Sequence, residues 1–369
     1  MSTTLRQIDY QFWKGKKVFL TGHTGFKGSW LSVWLKVLGA EVYGYSLKPE
    51  TTPSMFNILN LEQEVNSQIG DIRDYKTLEK SIKQANPDIL FHLAAQPLVR
   101  KSYSNPVETF QTNIMGTVHI LEISRYLENL KSIVIVTTDK CYENKEWLWG
   151  YRENDRLGGF DPYSNSKACA EMVTSAYRNS FYIEKDEQGV ITYKKALSTA
   201  RAGNVIGGGD WAEDRLVPDM VRAAFESKNI EIRNPHSVRP WQHVLEPLMG
   251  YLMLAESSYH NKQSFSQPFN FGPKEEDCIS VGEITKKVNQ FNNKIKVMSP
   301  VFDKEKPHEA TLLKLDISKS NNKLNWKPRW NIEEALTKTW QWYSAYYNEP
   351  SSIEEVTKSK INSYMRPTQ

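Results

Sequence analysis

The run Asp161-Pro162-Tyr163-Ser164-Asn165-Ser166-Lys167 sets a phenol and an ammonium four residues apart, one above the other on a helix face. A phenol has an ordinary pKa of about 10 and is a poor base at neutral pH. A neighbouring ammonium favours the phenolate, so the pair is expected to lower that pKa and to serve an alcohol being oxidised. Pro162 suits the first turn of such a helix, where its missing N–H costs nothing. Alone, Tyr-x-x-x-Lys is commonly a solvated helix face. A second run gives it meaning: Gly22-His23-Thr24-Gly25-Phe26-Lys27-Gly28 follows an apolar stretch and opens a helical pattern. Strand, Gly-x-x-Gly-x-x-Gly, then helix aims backbone N–H groups and a helix N-terminus at a pyrophosphate, with glycines allowing the tight turn and close approach.

The elements that must carry these residues alternate. Val18–Thr21, Glu41–Ser46, Ile89–Leu93 and Ile133–Thr137 read as strands, the later two almost wholly apolar as in a buried parallel sheet. Phe26–Leu38, Phe110–Leu127 and Tyr163–Phe181 read as helices, the first ended by Gly39. Strands joined by helical crossovers predict an α/β fold with a doubly wound parallel sheet. The polar stretch Glu184–Gly189 reads as a loop or hairpin. After Arg201 the elements shorten and prolines multiply. At about 150 residues per domain, 369 residues predict two parts: a nucleotide-binding domain over 1–200 and a smaller substrate lobe over 201–369, with some elements returning to the first.

Composition narrows the partners. The net charge of +4 is spread along the chain and no basic tract is interleaved with aromatics, which argues against nucleic acid. No apolar stretch approaches the roughly 20 residues of a membrane span, and Met1–Lys17 has no apolar signal core. The three cysteines are too few and scattered for a disulfide frame, and neither they nor the histidines show metal-ligand spacing, so no metal site is expected. A reduced, soluble, cytoplasmic protein is the expectation. Around the nucleotide, Asp71 and Ile72 are candidates to flank an adenine. The second strand ends in Tyr45-Ser46-Leu47-Lys48, without the acid that holds a ribose in many NAD-binding chains. Lys48 would tolerate a 2′-phosphate, so the residues leave NAD and NADP both open. His23 is either a turn residue or a cofactor contact.

The set resembles the extended short-chain dehydrogenase/reductase family, in particular its nucleotide-sugar 4,6-dehydratases. The matching pieces run in family order: Gly22/Gly25/Gly28, Asp71-Ile72, His92-Leu93-Ala94-Ala95-Gln96, Asn113 with Gly116-Thr117, Thr137-Thr138-Asp139, Tyr163 with Lys167, and Arg201-Ala202-Gly203-Asn204. Gly22–Trp30, Thr138–Tyr142, Gly207-Gly208-Gly209-Asp210-Trp211 and Arg239-Pro240-Trp241-Gln242-His243 are similar to the branch that acts on CDP-glucose. The resemblance implies a Rossmann-type domain, NAD as cofactor and CDP-glucose as substrate. It places the cofactor against the glycine loop (Thr24, Phe26 and Lys27 included), Ser46, Asp71, Ile72, Leu93, Ala94, Ala95, Gln96, Asn113, Tyr163 and Lys167. Tyr163 and Thr138 would flank the sugar 4-hydroxyl, and Lys167 would anchor the nicotinamide ribose. Asn204, Arg239 and, more weakly, Arg215 and Arg233 would meet the diphosphate end of the substrate, with Asn270 a further contact. A homodimer or homotetramer through the helices around 112–127 and 163–181 is implied as well.

One departure stands out. Related dehydratases follow the threonine with Asp-Glu, whereas this chain has Asp139-Lys140. Asp139 would be the general acid for the departing 6-hydroxyl. Lys140 would take the glutamate's place at C5, either as base or as a cation stabilising an enolate. A cation beside an oxidised nicotinamide, together with the missing ribose acid, predicts weak and exchangeable cofactor binding. A nucleotide-sugar 4-epimerase would share Tyr163 and Lys167 without needing the Asp139-Lys140 pair. A non-catalytic dinucleotide sensor would commonly lack the Tyr/Lys pair.

Overall fold

The computed structural model describes residues 7–226, 229–232, 234–291, 296–298 and 311–366; Arg233 lies outside them. A seven-stranded sheet forms the centre. Its strands are β1 (Lys17–Thr21), β2 (Glu41–Ser46), β3 (Asn66–Ile69), β4 (Ile89–His92), β5 (Ser132–Val136), β6 (Ala196–Ala202) and β7 (Pro268–Phe271). All neighbours pair in parallel, in the order β7-β6-β5-β4-β1-β2-β3. β4, β5 and β6 are buried along their whole length because helices cover both faces. The order reverses between β1 and β4, and in open α/β sheets ligands bind in the crevice at that point. The expected doubly wound sheet is the one found.

Helix α1 (Phe26–Val37) begins at Gly25 and ends before Gly39, whose φ of +78° stops it. The expected helix over 110–127 is instead a compound run: an α-turn Pro106–Phe110, a π-turn Gln111–Met115 and an α-helix Gly116–Arg125. Hydrophobic periodicity cannot reveal that extra residue per turn, and such π-turns gather at functional sites. Helix α2 (Pro162–Phe181) carries the Tyr/Lys pair. The polar stretch after it is a hairpin, Ile183–Lys185 with Ile191–Tyr193.

Beyond residue 201 the chain contributes to two places. β7 extends the central sheet, and α3 (Leu245–His260), buried along almost all its length, packs against β5 and β6. Short paired strands and helices build the rest, braced by aromatic clusters such as Trp30, His243 and Trp330. Glu246 ties α3 to the C-terminal helix α4 (Ile353–Met365). It accepts from the backbone N–H of Arg329 and Trp330 and from the Tyr364 hydroxyl. Burial pushes its carboxyl up to about 7.

Candidate active site

Asp161 starts α2 by accepting from the Ser164 N–H at 3.0 Å and from the Ser164 hydroxyl, with Pro162 in the first turn. Tyr163 and Lys167 therefore fall on consecutive turns of one face, both buried. Lys167 Nζ donates to the Val136 carbonyl at 3.3 Å, fixing α2 against the end of β5. From that same end Thr138 Oγ1 donates to Asp139 Oδ1 at 2.8 Å and lies beside the Tyr163 phenol. Asp139 is only 1% exposed, and its Oδ2 has no hydrogen-bond partner among the described residues.

These groups open onto one cleft of about 1320 Å³. Its floor is the glycine loop. Gly22 has φ +79°, and a Cβ there would come 2.7 Å from the Ala94 backbone nitrogen, so the loop presents bare backbone beside the end of β4. Thr24, Gly25, Phe26, Lys27 and Gly28 line the cleft with it. Ser46, Asp71, Ile72, Leu93, Ala94 and Ala95 line it, as do Thr138, Asp139, Lys140, Tyr163 and Lys167, and Asn204, Arg215 and Arg239. A floor of bare backbone at a helix N-terminus, ending at Ser46 rather than a carboxylate, fits a dinucleotide held without a ribose acid.

The electrostatics differ from the expectation at Tyr163. Burial pushes its phenol up to about 12, opposed by the neighbouring Thr138 hydroxyl, while the Asp139 charge pushes it up further. Desolvation thus outweighs the cation argument. Burial also pushes Lys167 down to about 8, with Glu171 opposing. Glu171, one turn after Lys167, is buried and pairs with Arg201 at 2.8 Å; it also accepts from Thr137 and Thr199 hydroxyls. Although burial raises its carboxyl, Arg201 and those donors hold it below the usual range. Arg201 is therefore a brace beneath the site. Glu171 was not singled out from the sequence, although its i+4 spacing from Lys167 was visible.

Residues 19–339 match the family model for GDP-mannose 4,6 dehydratase. The chain belongs to that family. Among its relatives is the CDP-glucose 4,6-dehydratase of Salmonella typhimurium, 51% identical over 98% of this chain and 99% of that protein. The dTDP-glucose 4,6-dehydratase of Haemophilus influenzae is 26% identical over 76% of this chain and 83% of its own. Among solved structures, the dTDP-glucose 4,6-dehydratase of Bacillus anthracis in complex with NAD superposes with a TM-score of 0.70. It is 22% identical and covers 90% of this chain and 97% of that one. The UDP-glucose 4-epimerase of Thermotoga maritima with UDP-glucose gives 0.73 at 21% identity, covering 90% and 99%. Those two structures share the fold of this 4,6 dehydratase family member.

Four expected contacts sit behind the cleft wall of this family member. The His23 ring turns away under Gly44, where a Cβ would come 2.4 Å from it, and bonds Ser67 through Nε2 at 2.8 Å. Burial pushes it down to about 4, so it is neutral packing. Asn113, in the π-turn, clamps the backbone of Gln96 through both amide atoms and donates to Ser166 on α2. The Gln96 side chain is spent on Thr109 and Leu98. Asn270 is completely buried, accepting from the Tyr142 hydroxyl and donating to the Tyr151 and Asp316 carbonyls. A strand-end asparagine looks the same in sequence whether it faces a ligand or a loop. Asp71 does line the cleft, but its carboxylate is engaged by Arg73 at 2.6 Å. Arg215, a weaker candidate in sequence, reaches the cleft while paired with Asp210 at 2.7 Å.

Proposed function

We propose that this protein is a CDP-glucose 4,6-dehydratase, a hydro-lyase that converts CDP-D-glucose to CDP-4-dehydro-6-deoxy-D-glucose and water and so supplies bacterial deoxysugar and O-antigen synthesis. The observation that carries this reading is 51% identity to such an enzyme along essentially the whole of both chains. The glycine loop Gly22–Gly28, Ser46 and Lys167 would hold NAD, which would supply reversible hydride acceptance between sugar C4 and C6 with no net oxidation. The chain's own residues move the protons. Tyr163, beside Thr138, takes the proton of the 4-hydroxyl. The new 4-ketone acidifies C5–H, and Lys140 acts there, in the glutamate's place. Asp139, its Oδ2 free of partners among the described residues, hands a proton to the departing 6-hydroxyl. Lys167 orients the cofactor ribose, while Asn204, Arg215 and Arg239 hold the diphosphate.

The same reading takes residues 1–200 as the nucleotide-binding part and 201–369 as mainly the sugar-nucleotide lobe. It places the enzyme in the cytoplasm; no helix among the described residues is long and apolar enough to cross a membrane. It also takes the enzyme as a homodimer or homotetramer, without nucleic-acid partners. Exposed Val107 and Met115 on the compound helical run, and Met172 and Phe181 on α2, support association through those helices. Incubation with CDP-glucose and NAD should give a product one water lighter, with no net reduced cofactor. An unchanged mass with inverted C4 would make the protein an epimerase.

A further inference from the structure

Asp139 and Lys140 sit on one 3₁₀ turn, Asp139–Cys141, just after β5. A turn this short has poor hydrogen-bond geometry of its own, and the chain on either side of it is fastened to the same buried ion pair. Before the turn, the Thr137 hydroxyl donates to Glu171 Oε1. After it, the Tyr142 hydroxyl accepts from Arg201 Nη1 at 2.8 Å and donates to Asn270 Oδ1 at 2.7 Å. Asn270 spends its amide hydrogens on the Tyr151 and Asp316 carbonyls, so only Oδ1 can face Tyr142 and the proton order is fixed. The Arg201 guanidinium lies 4.9 Å from the centre of the Tyr142 ring and closes the circuit on Glu171 at 2.8 Å. Glu171 follows Lys167 by one turn on α2, while Arg201 stands on β6 and Asn270 on β7. One carboxylate–guanidinium pair thus joins the helix of Tyr163 and Lys167 to both ends of the turn of Asp139 and Lys140.

We propose that Thr137 and Tyr142 are positioning residues for the elimination step: held by Glu171 and Arg201, they fix the Asp139–Cys141 turn against α2 and so set Asp139 and Lys140 over C6 and C5 of the sugar. The inference rests on the dehydratase reading above and adds to it the residues that hold its acid turn. Tyr163 is carried by α2 itself, so oxidation at C4 does not depend on this clamp. Elimination does, because it needs groups from the turn to meet a sugar placed by the rest of the cleft, and a misplacement of about 1 Å can cost on the order of 10²-fold. The turn has other support: the Gly158 N–H donates to the Cys141 carbonyl at 2.9 Å, and the Tyr142 and Tyr151 rings stack with centres 5.2 Å apart. Loss of one clamping hydroxyl should therefore shift the turn without unfolding it.

The test is stopped-flow mixing of the NAD-loaded enzyme with CDP-glucose, following reduced cofactor, with mass spectrometry of the product. Tyr142→Phe should oxidise C4 at close to the wild-type rate but lose water roughly 10- to 100-fold more slowly, so reduced cofactor accumulates. Thr137→Val, which cuts the clamp at its other end, should split the two steps in the same direction and decides the matter if Tyr142→Phe does not fold. Thr199→Val removes a donor to Glu171 Oε2, 2.7 Å away, without touching the turn. It should lower the melting temperature yet keep the wild-type ratio of the two steps, which separates positioning from general loss of stability. Both steps slowed equally in the clamp variants, or neither slowed, overturns the proposal, while the water-loss product of the wild type keeps the dehydratase reading. A shift of the ratio in Thr199→Val as large as in Tyr142→Phe overturns it too. A wild type that inverts C4 without losing water has no elimination step and overturns both.

Discussion

Thr138 Oγ1 donates to Asp139 Oδ1 at 2.8 Å, leaving Oδ2 of the same buried carboxyl, in the wall of the cleft that Tyr163 also lines, without a partner among the described residues. One hydroxyl thereby orients this carboxyl and lies beside the Tyr163 phenol, the proposed acid and base. Buried polar atoms are nearly always satisfied, and this one belongs to a residue that lines the cleft.

Asp139→Asn keeps the shape but removes the proposed proton donor. Dehydration should fall by about 10²- to 10⁴-fold, while oxidation at C4 persists. A stopped-flow trace should therefore show reduced cofactor accumulating after CDP-glucose is added. Loss of both steps in equal measure would assign Asp139 to binding instead.

On the proposed reading, Lys140 bears on the cofactor as well as on C5. Fluorescence titration should find NAD binding weak, in the micromolar range or above, and Lys140→Ala should tighten it several-fold by removing a cation from beside the nicotinamide. A nanomolar affinity in the wild type would sink this argument.

Glu171→Gln leaves Arg201 buried without its counter-charge. Breaking such a pair costs about 3–5 kcal/mol, so urea denaturation should show a large loss of stability. The replacement of both partners together should cost less than either alone.

Glu246 gives the fold a pH dependence. With its carboxyl pushed up to about 7 by burial, the folded state binds more protons than the unfolded chain between the ordinary value of 4.5 and about 7. Stability should therefore fall as pH rises through that window, by roughly 3 kcal/mol from this group. Glu246→Gln should flatten the slope measured by urea denaturation from pH 4.5 to 8.

Much of the molecule was legible in the linear sequence because its signals are local. A short apolar strand followed at once by Gly22, Gly25 and Gly28 can hardly form anything but a nucleotide loop. Asp161-Pro162 starts a helix whose first turns must carry Tyr163 and Lys167 together. The π-turn around Asn113 was not legible, since it adds a residue to a helix without disturbing its hydrophobic pattern. Nor was the inward turn of His23, which depends on Gly44 and Ser67 from neighbouring strands.

The sequence by itself determined the doubly wound sheet, the nucleotide loop and the Tyr/Lys pair, because strand and helix periodicity and glycine chemistry act over a few residues. Tertiary structure alone decided which polar side chains face the cleft and which are spent behind it. Asn113, Gln96 and Asn270 are consumed by buried backbone groups that must find partners, and Arg201 by Glu171. It also decided the charge balance: desolvation, set by packing from residues far apart in the chain, raises Tyr163 and lowers Lys27 and Lys167, and no spacing rule contains that term.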